Sequence, residues 1–164
     1  MSSAGTRRIQ KELSELLKTP LEGISVAPNG DNIHTWKVVI KGPAGTPYAG
    51  GKFGLTVEFG DSFPFKPPTV GDSSLSHPLT LQVTFSTKIY HTNVDTDGNI
   101  CIAVLKPDVW KPATKIASVL LAIQDLLDTP NPDDPLVASI ADQYRNDRKA
   151  FDQKATEYTK KYAV

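Results

Sequence analysis

Cysteine is almost absent from this chain, and neither sign of charge is in excess. One cysteine among 164 residues cannot form an internal disulfide, so a disulfide framework is excluded and we expect a reducing compartment. The 18 basic and 18 acidic residues give a formal net charge of zero. Such a balance predicts no attraction to nucleic acid or to an anionic membrane surface.

Long hydrophobic runs are missing as well. Runs such as VLLAI at residues 119–123 are far shorter than the roughly 20 residues that cross a membrane. The first ten residues contain no apolar run of the kind found in a signal peptide. We therefore expect a soluble intracellular protein, and the length suits a single domain over residues 1–164 with a substantial core.

Hydrophobic periodicity predicts helices at both ends of the chain and strands between them. Strict alternation in KFGLTVEF gives the clearest strand, and helical spacing gives the first helix an apolar face of Ile9, Leu13, Leu16 and Leu17. The predicted elements are a helix at 7–18, strands at 33–40, 52–59 and 83–90, and helices at 112–127, 135–144 and 146–162, the first of these three opening on Pro112. This order is typical of an α+β fold with an antiparallel meander.

The one cysteine, Cys101, follows a polar turn between apolar segments, and the plainest interpretation is a small buried side chain. A structural zinc ion needs about four ligands, and only His91 and Cys101 are at hand. DTDGN at 95–99 resembles the start of a calcium loop, but Ile100 and Lys106 replace its required glycine and glutamate. We therefore expect no metal site. A hydrolase would need a histidine base beside the sulfur, and nothing local orients His91 for that role.

A thioester carrier needs no base beside the sulfur, because the acyl group arrives already activated. When an amine attacks such a thioester, charge develops on the carbonyl oxygen, and an amide donor there can be worth about 3–4 kcal/mol. Asn93 lies eight residues before Cys101 and supplies an amide of this type. Asp133 and Asp134 lie in a proline-rich loop and are candidates to favour proton loss from the attacking lysine.

Seven segments resemble the ubiquitin-conjugating enzyme family in order and spacing, over nearly the whole chain. They are RIQKEL (8–13), GPAGTPYAGGKF (42–53), FPFKPP (63–68), IYHTN (89–93), GNIC (98–101), WKPA (110–113) and PNPDDPL (130–136). The resemblance implies a four-stranded antiparallel meander sheet flanked by an N-terminal helix, a central helix and C-terminal helices. It implies an enzyme that receives ubiquitin as a thioester on Cys101 and transfers it to substrate lysines, usually with a RING or HECT ligase.

The resemblance also implies roles for individual residues. Cys101 matches the nucleophile, Asn93 an asparagine credited with oxyanion stabilisation or loop ordering, and Asp134 an acidic residue that places or deprotonates the lysine. His91 matches a structural histidine of the same motif. Ser25 matches a position where some members bind a second ubiquitin, and the matches to the ligase-binding surface are Arg8, Phe65, Pro112 and Ala113. Plainer interpretations stand beside these: Arg8 as a solvated charge and Phe65 as a core residue.

The implied partners are ubiquitin, its activating enzyme, the ligases and protein substrates. The first helix is expected to contact the activating enzyme, which consumes the ATP, so no cofactor is expected on this chain. We expect a monomer in the cytoplasm, the nucleus or both. Two alternatives stay open: a non-catalytic scaffold that only binds ubiquitin or a partner, and an enzyme for another ubiquitin-like modifier. Retention of Cys101, Asn93 and Asp134 favours activity.

The chain departs from the family pattern at four places, one of them the segment from Lys106 to Trp110, which is one residue longer than usual. Thr92 stands where proline is usual, so we expect a less rigid turn. Ala103 stands where many members carry an acidic residue, which leaves Asp134 more of the task and predicts slower transfer to free lysine. An insertion of about a dozen residues, near 70–82, is expected to form a surface loop. The sequence leaves open whether this loop contacts a partner.

Overall fold

The structure of the protein, a computed structural model, describes residues 3–68 and 80–164, with the backbone alone for Ser3. Four helices and four strands lie in these ranges. In chain order they are α1 (Ser3–Lys18), β1 (Ile24–Asn29), β2 (Asn32–Lys41), β3 (Lys52–Phe59), β4 (Leu81–Phe85), α2 (Ile116–Asp128), α3 (Ala138–Asn146) and α4 (Arg148–Tyr162). The strands form one antiparallel sheet in the order β1-β2-β3-β4. The α+β meander with its N-terminal, central and C-terminal helices is therefore confirmed.

One face of the sheet forms the core with α1 and α2. The alternating side chains of β2 and β3 that the pattern assigned to one face are buried: Trp36, Val38, Ile40, Phe53, Leu55, Val57 and Phe59. Helix α2 adds five buried side chains at helical spacing. Each large apolar side chain buried in this way contributes about 1.5–3 kcal/mol. None of the described helices is long and apolar enough to cross a membrane.

The two outer strands differ from the pattern-based prediction. The pattern does not predict strand β1, because its residues alternate weakly and Pro28 interrupts them. A proline is tolerated here, since β1 is an edge strand with a register shift at Pro28. The bounds of the strand predicted at 83–90 are wrong at both ends. Strand β4 is Leu81–Phe85. Beyond it, Ser86 and Thr87 both donate their N–H groups to the one carbonyl of Gly54 in β3 (2.8 and 3.3 Å), which ends the regular pairing.

The expected loop at 70–82 is wrong over its last two residues. Leu81 is buried and pairs with Phe59 as part of β4, because its apolar side chain completes the core face of the sheet. Thr80 is buried too, and its hydroxyl donates to the carbonyl of Lys66 (2.8 Å). The remainder of the predicted loop, residues 70–79, lies outside the described residues.

Two details of the helix predictions are also wrong. Helix α2 begins at Ile116 rather than at Pro112, because residues 111–114 form a turn closed by Thr114 N–H and the Lys111 carbonyl (2.9 Å). The carboxylate of Glu12 in α1 then accepts the N–H of Ile116 (2.7 Å), which satisfies a free donor at the helix start. On α1 itself, Leu17 is 56% exposed and does not join the apolar face.

Candidate active site

A tight turn brings Cys101 back against Asn93. One carboxylate oxygen of Asp95 accepts the N–H groups of Asp97 and Asn99 (2.9 Å each), so this acid closes the turn. Gly98 has φ 85°, and a Cβ there would lie 2.1 Å from the carbonyl oxygen of Phe85, so only glycine fits. After the turn, Cys101 N–H donates to the carbonyl of Asn93 (2.9 Å).

The Cys101 side chain is partly exposed rather than sealed in the core, which contradicts the interpretation of a buried hydrophobe. Burial raises the pKa of its thiol, the negative charge of Asp134 raises it further, and the Lys106 ammonium opposes both. Cys101 and Asp134 are close enough for each side chain to influence the pKa of the other. Cys101 is therefore a protonated, accessible thiol at neutral pH, with no local group that makes it a strong acid.

Asp134 forms an ion pair with Lys106, a residue to which sequence reasoning gave no role in the site. The two side chains are 45% and 39% exposed. The hydrogen bond from Lys106 lowers the pKa of Asp134, and the same bond raises the pKa of Lys106. The pair joins residues 28 positions apart, so no local pattern could have indicated it. The charge beside the sulfur is thus one carboxylate balanced by one ammonium.

The carboxamide of Asn93 is fully buried and makes four hydrogen bonds. Its Nδ2 donates to the carbonyls of Asn131 and Asp134 (2.9 Å each). Its Oδ1 accepts the N–H of Asn131 (3.0 Å) and the hydroxyl of Thr92 (2.6 Å). Both donors are thus committed to the 131–134 loop. Of the two roles implied for Asn93, this geometry favours loop ordering over direct contact with an oxyanion.

His91 is completely buried, and both ring nitrogens have partners. Nδ1 accepts the N–H of Asn93 (3.0 Å), so Nε2 carries the proton and donates to the carbonyl of Leu126 at the end of α2 (2.8 Å). Burial lowers the pKa of His91 to about 4, against the opposing effect of the Leu126 hydrogen bond. The ring has no lone pair left for Cys101, which agrees with a structural role and argues against a hydrolase.

The two point departures have different consequences. Thr92 is buried, and its carbonyl accepts the N–H groups of Leu136 and Val137 (2.9 and 3.1 Å). These bonds anchor the turn through a backbone carbonyl that proline would also offer, so the less rigid turn expected from Thr92 stays a prediction. Ala103 is exposed and opens a short 3₁₀ helix, Ala103–Leu105. It adds no charge, which leaves Asp134 as the carboxylate at Cys101.

Three of the four residues implied for ligase binding, Phe65, Pro112 and Ala113, lie on two adjoining segments. Trp110 Nε1 donates to the carbonyl of Pro64 (3.0 Å) and joins the 60–68 loop to residues 109–113. Phe65 is 67% exposed, so it is not a core residue. Pro112 and Ala113 are exposed, and so is Val109, which sequence reasoning did not single out.

Arg8 of α1 contacts the backbone of the segment that carries Pro112. Its guanidinium donates to the carbonyls of Pro112 (2.8 Å) and Thr114 (2.9 Å) and to the carboxylate of Glu12 (2.7 Å). Arg8 is thus not a free solvated charge. Its contacts connect α1 to the turn before α2.

Ser25 lies elsewhere, on the outer side of edge strand β1. It is exposed and pairs in register with Val39, which is 37% exposed. A shallow cavity adjoins both residues, with Lys41 and Lys52 at its margin. Within residues 3–68 and 80–164, no three His, Cys, Asp or Glu side chains are grouped closely enough to hold a metal ion.

Comparison with known proteins agrees with the resemblance found in the sequence. A family model described as ubiquitin-conjugating enzyme matches residues 8–159. The chain is also 45% identical over 162 residues to a Schizosaccharomyces pombe protein named ubiquitin-conjugating enzyme E2 14. That alignment covers 99% of this chain and 96% of the yeast protein. The similarity therefore extends over the sheet, the helices and every segment of the candidate site.

Proposed function

Because the chain belongs to the ubiquitin-conjugating enzyme family, we propose that it carries ubiquitin as a thioester on Cys101 and transfers it to lysine side chains. The observation that supports this most directly is the partly exposed Cys101 thiol, held beside the Asp134 carboxylate by the Asn93 turn. A non-catalytic scaffold would have no use for this arrangement. The proposal involves no cofactor on this chain, since the activating enzyme consumes the ATP.

Loading is an exchange of one thioester for another. The sulfur of Cys101, after losing its proton, attacks the carbonyl carbon at the C-terminus of ubiquitin on the activating enzyme. A new C–S bond forms, the old C–S bond breaks, and the departing thiolate takes up a proton. Since burial and Asp134 raise the pKa of Cys101, little thiolate is present at pH 7. We therefore expect the loading rate to rise with pH.

In the second step an amine attacks the Cys101 thioester, and the carbon–sulfur bond breaks as the amide forms. The incoming lysine must first lose its ammonium proton. Asp134 is a weak proton acceptor, because Lys106 lowers its pKa. We infer that the carboxylate attracts and orients the amine, while water accepts the proton. Asn93 contributes by holding Asp134 in place through its backbone carbonyl.

Lys106 occupies the Asp134 carboxylate before the substrate arrives. A substrate ammonium that pairs with Asp134 must exchange with Lys106. Both partners are substantially exposed, and ion pairs of this kind contribute little free energy because water screens them. The exchange therefore costs little free energy. The pair keeps the Asp134 carboxylate oriented without excluding the substrate amine.

The proposal also assigns binding partners to two further surfaces of the protein. The exposed aromatic ring of Phe65, with Val109, Pro112 and Ala113, offers an apolar patch for a RING or HECT ligase. Arg8 supports this patch from behind through the Pro112 carbonyl. Ser25 and Val39 offer a second, shallow surface for non-covalent ubiquitin binding on the outer side of the sheet.

A charging assay tests the proposal. The protein is mixed with activating enzyme, ATP and ubiquitin and run on a non-reducing gel. The expected product is one band heavier by a single ubiquitin, which thiol reductant removes and which the Cys101→Ala variant lacks. Cys101→Ser is the matched control, because it should give a band that resists reductant.

Three results would contradict the proposal. If ubiquitin leaves no reducible band although a known family member charges in the same mixture, the chain is not a ubiquitin carrier. Charging by a different ubiquitin-like modifier would identify that modifier as the cargo instead. A band that forms equally well in Cys101→Ala would not be a thioester of this chain, because Cys101 is its one cysteine.

A further inference from the structure

Thr92 is a buried polar residue that the proposed function leaves unused. It is 0% exposed, as are its neighbours His91 and Asn93. Its hydroxyl donates to Asn93 Oδ1 at 2.6 Å, a short and fully desolvated hydrogen bond. Burying a hydroxyl costs free energy unless a partner satisfies it. The bond therefore fixes the direction of the hydroxyl and, through it, one side of the Asn93 carboxamide.

We propose that Thr92 is a positioning residue for ubiquitin transfer, because its hydroxyl fixes the Asn93 carboxamide that holds Asp134 beside Cys101. This inference rests on the proposed function. It assigns Thr92 an effect on the transfer step, acting through Asn93 rather than by contact with ubiquitin or with the substrate amine.

The orientation of the Asn93 carboxamide is set by its four hydrogen bonds. Oδ1 faces the two donors, the Thr92 hydroxyl and Asn131 N–H, while Nδ2 faces the carbonyls of Asn131 and Asp134. A flipped carboxamide would set its NH₂ against Asn131 N–H and its oxygen against two carbonyls. The Thr92 hydroxyl adds a second donor to the oxygen side and so opposes rotation of the group.

The orientation of this carboxamide also affects the surroundings of the Cys101 sulfur. Asn93 contacts Cys101 through its own carbonyl (2.9 Å) and Asp134 through its side chain (2.9 Å). Asn93 is thus the bridge between the cysteine turn and the 131–134 loop. If the carboxamide rotates, the loop can shift relative to Cys101, and the Asp134 carboxylate moves with it. Displacements of about 1 Å can lower a rate by up to about a hundredfold.

Thr92 also carries a buried methyl group, so a packing role is the alternative. Two matched variants separate the roles. Thr92→Val keeps the shape and removes the hydroxyl, whereas Thr92→Ser keeps the hydroxyl and removes the methyl. Positioning by the hydroxyl predicts that valine impairs transfer and serine preserves it. Packing predicts the reverse.

The experiment uses the full chain charged with ubiquitin and then mixed with free lysine. We expect Thr92→Val to lower the maximal discharge rate about tenfold, the ratio that loss of one buried hydrogen bond gives. The concentration of lysine at half-maximal rate should change less than the rate. Thr92→Ser should discharge within about twofold of the wild type. Thermal unfolding of each variant shows whether it is folded at the assay temperature.

A second measurement tests the role of Thr92 independently of enzymatic activity. In ¹⁵N NMR spectra, the Asn93 side-chain NH₂ should exchange slowly with solvent in the wild type and in Thr92→Ser. It should exchange at least several-fold faster in Thr92→Val. If the wild type never forms a thioester, the proposed function fails, yet this comparison still decides whether Thr92 holds Asn93. Wild-type exchange and wild-type discharge in Thr92→Val would overturn the inference, and so would impairment of the serine variant alone.

Discussion

The burial of His91 predicts that the folded protein loses stability between neutral pH and pH 4. Burial lowers the pKa of His91 from 6.5 to about 4 in the folded state. Between these values the unfolded chain binds a proton at this residue and the folded chain does not. The free energy of unfolding therefore rises with pH across this window and falls as the pH is lowered through it.

The size of the effect follows from the shift. Each pH unit within the window changes the free energy of unfolding by about 1.36 kcal/mol at most, so the full difference is about 3 kcal/mol. This contribution is complete above pH 6.5 and absent below about pH 4. Carboxylates whose pKa the fold lowers, such as Asp134, lose their contribution at lower pH still. The two effects are thus separated along the pH axis.

The assay is urea unfolding at half-unit steps from pH 4 to pH 7.5, monitored by tryptophan fluorescence. His91→Gln should be less stable than the wild type at pH 7, because it breaks the contacts to Asn93 and Leu126. Between pH 4 and pH 6.5, the free energy of unfolding of His91→Gln should change by at least about 2 kcal/mol less than that of the wild type. His34→Gln is the control, because it replaces a histidine of β2 that is less buried than His91. Parallel curves for the wild type and His91→Gln would refute the reasoning.

The other predictions concern Cys101, the contacts of Glu12 in α1 and the exposed ring of Phe65. Because Cys101 is the one cysteine and its pKa is raised, its alkylation by iodoacetamide should accelerate about tenfold from pH 7 to pH 8. Asp134→Asn should alkylate faster at pH 7, whereas an unchanged rate would exclude the carboxylate as a neighbour. Glu12→Gln weakens the charge-assisted bonds to Ile116 and Arg8, so calorimetry should show a loss of about 2 kcal/mol. Phe65→Ala should leave stability within about 0.5 kcal/mol, since the ring is exposed, yet lower ligase-stimulated discharge; equal stimulation would remove Phe65 from the ligase surface.

Much of the fold could be predicted from the sequence, because the core elements carry strong periodicity. The bounds of β3 match the prediction, since four large apolar residues alternate there without interruption. Prediction failed where a contact distant in sequence decides the outcome. Pro112 looked like a helix start, but Glu12 and Arg8 of α1 draw residues 112–114 into a turn and give Ile116 its first partner. A local pattern contains no information about such a contact.

The candidate site divides in the same way. Resemblance to a family supplied the identities of Cys101, Asn93 and Asp134, because motifs preserve residue types at fixed spacing. It could not supply what each group is already bonded to. The Asn93 donors are committed to carbonyls 38 and 41 residues away, and Asp134 is committed to Lys106.

These commitments change the chemical argument. An asparagine judged by type alone looks like a free donor for an oxyanion, and an aspartate judged by type alone looks like a proton acceptor. With their partners in place, the first is better suited to holding a loop, and the second to attracting a cation. The acidity and hydrogen bonding of a site residue are thus properties of the folded neighbourhood, so a rate measured on Asn93 or Asp134 variants reports the loop geometry together with the chemistry.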